Sequence, residues 1–250
     1  VDWAVVETGM GGRLDATNTL MPAVSVITSI GYDHREFLGN TLKEITGEKA
    51  GIIKKGVPII TASQETDALD LIKEKASEKG SEISVFEKDF SAVEKYTGMD
   101  GNIFDYSGDC VLKDLKIPLA GRYQIMNAAL AIKSIEDLRK TNPSCAAKIT
   151  DSAIRHGLER VRWEGRLEFL ADNPRILIDG AHNPSAAAAL ADFLREHIAA
   201  TGESIIMIVG IMADKDIDGI ISPLLPISSE IIMAAPSYER AARPEVIAKR

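Results

Sequence analysis

The chain has 250 residues, room for one large or two ordinary domains, each with its own core. Its 45% hydrophobic and 26% charged residues are those of an ordinary soluble globular protein, and no apolar run approaches the length of a membrane span. A net charge of −8 argues against a nucleic-acid surface, so any anionic ligand must be held locally, by metal ions, backbone amides or single arginines.

Residues 2–6 (DWAVV) read as a buried strand, reached without an initiator methionine. Further strands are expected at 24–29 and 57–61, with helices at 41–54 and 65–78, the alternation of a parallel sheet flanked by helices. Thr41 and Glu44 form a capping box at the entrance of the first helix. Residues 82–118 hold shorter strands separated by turns such as Met99-Asp100-Gly101-Asn102, and two helices follow near 122–139 and 146–158. From Arg160 to Arg166 no period is visible, which marks a break. Beyond it the alternation restarts: a strand at 175–179, a helix at 184–198, a strand at 204–209, a helix at 215–223 and a strand at 230–234. Asn183 and Pro184 give a standard helix entry, cap then first-turn proline. The expected architecture is α/β: a mostly parallel sheet flanked by helices over residues 1–162, then a smaller Rossmann-like α/β domain over 163–250. The helix that starts at Pro244 stops in mid-course, so the chain reads as an internal piece of a longer protein.

Glu7 to Arg13 (ETGMGGR) follows the first expected strand directly, and its three glycines let the backbone turn tightly and approach a ligand. The spacing is neither the dinucleotide fingerprint nor a P-loop, and no Gly-Lys pair occurs in the 250 residues. Glu7 stands at the carboxyl end of a strand, where open α/β sheets bind ligands, although a plain turn is the alternative. Asp33 and His34 follow the second strand and its exit loop. Across Thr41–Lys54, at about 100° per residue, Leu42, Ile45, Ile52 and Ile53 share one stripe with Lys49 in its middle. An inward lysine must be paired, neutral or chemically altered, because an isolated buried ammonium is costly. Glu7, His34 and Lys49 suit a divalent metal if the neutral amine takes up carbon dioxide as a carbamate, an anionic two-oxygen ligand on a long arm. The competing reading has Lys49 snorkelling, or paired with a carboxylate such as Glu48.

Ile178 to Pro184 (IDGAHNP) is a strand–loop–helix junction whose helix amino end favours negative charge. Asp179 is suited to accept hydrogen bonds from ribose hydroxyls and His182 to meet a phosphate; alternatively the Asp and Asn simply cap and turn. Arg166, just past the break, is placed to reach a ligand between the domains. The two cysteines, Cys110 and Cys145, form neither a CxxC nor a zinc pattern, the usage of a reduced, cytoplasmic protein.

Together, ETGMGGRLDATN (7–18), ITSIGYDHREFLGNTLKEITGEKAGIIKKG (27–56), LAGRYQIMNAALAI (119–132), WEGRLE (163–168), LIDGAHNPSAA (177–187) and GIMADKD (210–216) resemble the folylpolyglutamate synthase/dihydrofolate synthase family of Mur-type ATP-dependent amide ligases. Gly47 departs from the alanine usual there. The resemblance implies that Glu7 and His34 ligate magnesium and that Lys49 is a carbamylated lysine helping to hold a second ion. It further implies that Leu14, Asp15 and Ala16 border the pterin-bearing substrate, and that Asn127, Arg166 and Asp179 contact ATP with His182 near its phosphates. In the implied reaction ATP phosphorylates a folate or dihydropteroate carboxylate and the amine of L-glutamate attacks the acyl phosphate. Lys49, His34, Arg166 and His182 form the implied catalytic set, completed when the domains close. The family precedent is a monomer. Its P-loop lies upstream of the strand at 2–6, so the 250 residues alone are expected to be inactive. The nearer rival is a Mur-type ligase acting on a cell-wall precursor, against which the GRLDATN loop speaks. The more distant rival is an inactive fragment or binding module.

Overall fold

The computed structural model describes residues 3–62, 64–142, 144 and 148–249. The chain divides into two compact units, one comprising residues 1–97, 102–118 and 122–161, the other 98–101, 119–121 and 162–250.

In the first unit β1 (Ser25–Ile27), β2 (Ile59–Thr61) and β3 (Ile83–Val85) form a parallel sheet in that order, with Val26 opposite Ile60 and Ile60 opposite Ser84. β2 is central and buried throughout, as its uninterrupted Ile-Ile-Thr run requires. A short helix α1 (Arg35–Leu38) precedes α2 (Leu42–Ala50), which packs on α3 (Thr66–Lys79). Ile27, Ala50, Ile53, Ile59, Ile72 and Ala76 form the core of this layer. The capping box is present: the Thr41 hydroxyl accepts the Glu44 amide and the Glu44 carboxylate accepts the Thr41 amide.

Residues 91–117 build a separate sheet, β4 (Ser91–Gly98), β5 (Gly101–Ser107) and β6 (Val111–Ile117), with β5 and β6 antiparallel. This departs from one mostly parallel sheet. Tight turns can join only antiparallel neighbours, and residues 91–117 contain no crossover helix. α4 (Tyr123–Thr141) packs with this sheet around Phe104, Tyr106, Leu115, Ala129 and Ile132. On α4 the buried Glu136 carboxylate accepts hydrogen bonds from the Tyr106 hydroxyl (2.9 Å) and the Cys110 amide (2.9 Å), tying the β5–β6 turn to the helix. Burial, with Glu136 alongside, pushes the Cys110 thiol up to about 11. α5 (Asp151–Glu159) realises the later part of the helix expected at 146–158, with the Thr150 hydroxyl accepting the Ala153 amide. Residues 146 and 147, like Cys145 and Asp2, lie outside the described residues.

The strand expected at 2–6 is not formed by Trp3–Val6, which are exposed. Their residue types suit a pleated, half-buried surface, but a strand exists only with a ladder partner, and no described residue supplies one.

The second unit opens with an antiparallel pair, β7 (Glu168–Asp172) and β8 (Arg175–Ile178). α6 (Pro184–His197), β9 (Ile206–Val209), α7 (Ile217–Ile221), β10 (Glu230–Met233) and α8 (Pro244–Ile247) follow. β9 and β10 are parallel, Ile208 opposite Ile232. Asn183 accepts the Ala186 amide and Pro184 occupies the first turn of α6, as its sequence dictates. Ala187, Ile211, Ile220, Ile221, Ala242 and Ile247 form the core. Among the described residues no helix is long and apolar enough to cross a membrane.

Candidate active site

Three elements of the first unit meet at Gly11. Its φ of 64° lies in the left-handed region, and a Cβ there would stand 2.8 Å from Leu38 Cδ2 on α1 and 3.6 Å from Glu48 Cβ on α2. A Cβ on Gly12 would stand 2.7 Å from Ile52 Cγ2 and 3.0 Å from the Lys49 carbonyl oxygen. The glycine loop therefore lies flat on the last turn of α2. Arg13 fastens it twice: its amide donates to the Glu48 carbonyl at 2.8 Å, and its Nη2 to the Glu48 carboxylate at 2.9 Å. Asn18 bridges the same junction, donating to the carbonyls of Arg13 (3.0 Å) and Gly51 (3.1 Å).

Asp15 closes the loop from the other side. Its carboxylate accepts the amides of Gly9 (2.9 Å), Met10 (3.0 Å) and Thr17 (2.9 Å) and the Thr17 hydroxyl (2.6 Å). The Thr17 hydroxyl, followed by the Met10 and Thr17 amides, holds the carboxyl down to about 2. Because the folded value lies below the ordinary 3.8, it is the ionised carboxylate that stabilises the loop. That contribution is complete above about pH 4 and is lost as pH falls through about 2. Amide exchange at Gly9 and Met10, corrected for intrinsic rate, is expected to accelerate over that interval. In Asp15→Asn the pH step should vanish; a step that survives the substitution belongs to another group.

Lys49 is half-buried, less deeply placed than an inward lysine. The reason is that α2 stops at Ala50, so Ile52 and Ile53 leave the helical stripe and Lys49 stands at its end. Among the described residues its amine has no hydrogen-bond or ion-pair partner. Pairing with Glu48 does not occur, because Arg13 occupies that carboxylate. Glu7 is exposed and its carboxylate also lacks a partner among the described residues. His34 precedes α1 with φ 50° and ψ 39°, its amide donating to Asp33 Oδ1 at 2.8 Å. Among the described residues no three His, Cys, Asp or Glu side chains gather as a metal site. The expected set contains only two such residues, so it needs a modified Lys49 as the third ligand. The donor chemistry fits magnesium on that condition: an unengaged carboxylate, an imidazole and an unengaged amine able to become a carbamate. Leu14 is 80% exposed, Ala16 is exposed, and Asn127 is exposed on α4 with its amide on Gln124 Oε1 at 3.0 Å.

In the second unit Asp179 directly follows β8 and ties two loops. Its Oδ2 accepts the Leu167 amide and its Oδ1 the Ala181 amide, both at 2.9 Å. The Gly180 amide donates to the Gly165 carbonyl at 2.9 Å, and His182 Nδ1 lies 2.8 Å from the Gly180 carbonyl oxygen. Arg166 and His182 are both exposed beside this turn.

Residues 1–135 match the Mur ligase middle domain, and residues 165–250 match the Mur ligase, glutamate ligase domain. Dihydrofolate synthase/folylpolyglutamate synthase of Bacillus subtilis strain 168 is 37% identical over 242 residues, covering 96% of this chain and 55% of that protein. Folylpolyglutamate synthase of Lacticaseibacillus casei is 39% identical over 217 residues, covering 86% of this chain and 49% of that protein. The chain belongs to the folylpolyglutamate synthase/dihydrofolate synthase family of Mur ligases. Mycobacterium tuberculosis folylpolyglutamate synthase complexed with ADP matches its fold with a TM-score of 0.91 at 32% identity, covering all of this chain and 55% of that one. A folylpolyglutamate synthase complex with AMPPCP and folate matches with a TM-score of 0.83 at 37% identity, covering 91% of this chain and 54% of that one. The chain spans about half the length of the curated relatives it matches.

The family expected from the motifs is thus the family found, and the α/β fold is that of its middle and C-terminal domains. Within this family member, sequence reasoning missed Arg13, Asn18 and Gly51, which dock the glycine loop on α2. Arg13 and Asn18 stand inside the quoted GRLDATN motif, yet nothing local says that their partners lie more than thirty residues onward, at Glu48 and Gly51.

Proposed function

We propose that the chain supplies the metal-binding part of the ATPase domain (residues 1–162) and the glutamate-ligase domain (163–250) of an ATP- and magnesium-dependent amide ligase. The reaction adds L-glutamate to a folate or dihydropteroate carboxylate. The observation that supports this most directly is the unengaged Lys49 amine on the turn of α2 that receives the glycine loop. Glu7, His34 and carbamylated Lys49 would hold the magnesium ions, whose chemistry when bound is to offset negative charge on the phosphoryl group in transfer. Asn127, Arg166 and Asp179 bind ATP, and His182 meets its phosphates. Leu14 offers its exposed apolar surface to the pterin-bearing substrate, flanked by Asp15 and Ala16. A carboxylate at neutral pH is a poor electrophile until one oxygen becomes part of a phosphate leaving group; the glutamate amine then forms the amide and phosphate departs. The protein works as a cytoplasmic monomer on small molecules.

The test is glutamate incorporation by the intact protein in which these residues occur, offered dihydropteroate, a folate and a muramyl precursor. Incorporation into either pteridine supports the reading; incorporation into the muramyl substrate alone replaces it with a cell-wall ligase. Residues 1–250 contain no Gly-Lys pair to form a phosphate-cradling P-loop, so by themselves they are expected to leave ATP unhydrolysed. Turnover by these residues alone would contradict that.

A further inference from the structure

We infer that Gly180 and Asp179 are positioning residues that seat the Arg166 guanidinium on the strand-to-helix turn of the second unit. Gly180 is absent from the left-handed glycines, so its backbone does not require glycine. Space does. A Cβ there would overlap Arg166 Nη1 and stand 3.4 Å from the Gly165 carbonyl oxygen, the same oxygen that accepts Arg166 Nη1 at 3.2 Å. The guanidinium therefore lies in the volume that any side chain at position 180 would take.

Asp179 fixes the other end of the arginine. Leu167, the next residue, is 4% exposed and has φ 46°, a conformation disfavoured for an L-residue with a side chain. Its amide is held by Asp179 Oδ2, while the Gly180 amide holds the Gly165 carbonyl, so residues 165 and 167 are clamped on either side of Arg166. Because His182 Nδ1 approaches the Gly180 carbonyl oxygen at 2.8 Å, the same turn aims both exposed groups. The functional consequence rests on the proposed contact of Arg166 with ATP; the seating is a property of the fold.

The atom in the way of Gly180→Ala is the tip of a flexible side chain, so the variant should fold, with a thermal midpoint within about 2 °C of the parent. The test compares the parent, Gly180→Ala, Arg166→Ala and the double variant by ADP calorimetry and by the NMR signal of the Arg166 Nε–H. The expected result is a displaced Nε–H signal and roughly tenfold weaker ADP binding in Gly180→Ala. In the Arg166→Ala background Gly180→Ala should change affinity by less than about twofold. Asp179→Asn, which must turn one NH₂ toward an amide, is expected to move the same signal and to speed exchange of the Leu167 or Ala181 amide. An unmoved signal in Gly180→Ala, an additive penalty in the double variant, or loss of folding in Gly180→Ala would overturn the inference. If the parent binds no ADP, the nucleotide contact fails, and the Nε–H signal alone decides the seating.

Discussion

Lys49→Met is expected to lower amide formation by the intact protein about 10³-fold or more without unfolding it. The methionine keeps most of the stem volume at a half-buried site, and no ion pair is lost because the amine has none among the described residues. What is lost is the atom that would carry the carbamate. Lys49→Arg separates two roles of that amine. If a positive charge beside the phosphates were its contribution, arginine would retain much of the activity. A guanidinium does not form the carbamate, so the account predicts that Lys49→Arg is as inactive as Lys49→Met. Steady-state rates for both variants, with circular dichroism to confirm folding, decide between these roles.

Gly51→Ala should destabilise the protein where backbone entropy alone predicts the opposite. Gly51, the C-cap of α2, has φ −60° and ψ −13°, so alanine fits the backbone, and the reduced freedom of the unfolded chain favours it by about 0.4–1 kcal/mol. The obstacle is Arg13, whose Cα would stand 2.5 Å from the new methyl group. A backbone atom cannot swing aside. Overpacking of this kind costs about 1–3 kcal/mol, or else the loop lifts from α2 and breaks the Asn18 and Arg13 ties. Either way the glycine loop shifts on the turn that carries Lys49; with the proposed metal held there, a displacement of about 1 Å at a reacting centre would cost roughly 10²-fold in rate. Gly47→Ala is the matched control on the same helix. The nearest atom to its added Cβ is Leu71 Cδ2 at 4.0 Å, so the propensity gain should appear as a raised thermal midpoint. Stabilisation by both substitutions, with activity unchanged, would show that the loop does not rest on α2.

What could be read from the sequence was what local chemistry decides. The Thr41–Glu44 box and the Asn183–Pro184 entry act within one helical turn, and both are formed. The motifs were likewise sufficient to name the family. Partners distant in the chain were not legible. Trp3–Val6 has strand chemistry but no ladder neighbour among the described residues. α2 ends at Ala50, and Arg13 lies against the Gly51 that follows, a contact that no periodicity reveals. Lys49 was placed deeper than it lies because the stripe was extended past that stop. Asp15, which the resemblance sets beside the substrate, also has both its oxygens engaged by the loop that it closes. β8 falls on the strand expected at 175–179, whereas its antiparallel partner β7, just past the aperiodic Arg160–Arg166 stretch, has no counterpart among the expected strands.

The decisive measurement is a carbon-13 NMR spectrum of the protein equilibrated with ¹³C-bicarbonate and magnesium at mildly alkaline pH. A single carbamate resonance is predicted, strengthened by magnesium and missing from Lys49→Arg. A spectrum without that resonance, or one in which it persists after the substitution, would show that the metal is not held through Lys49.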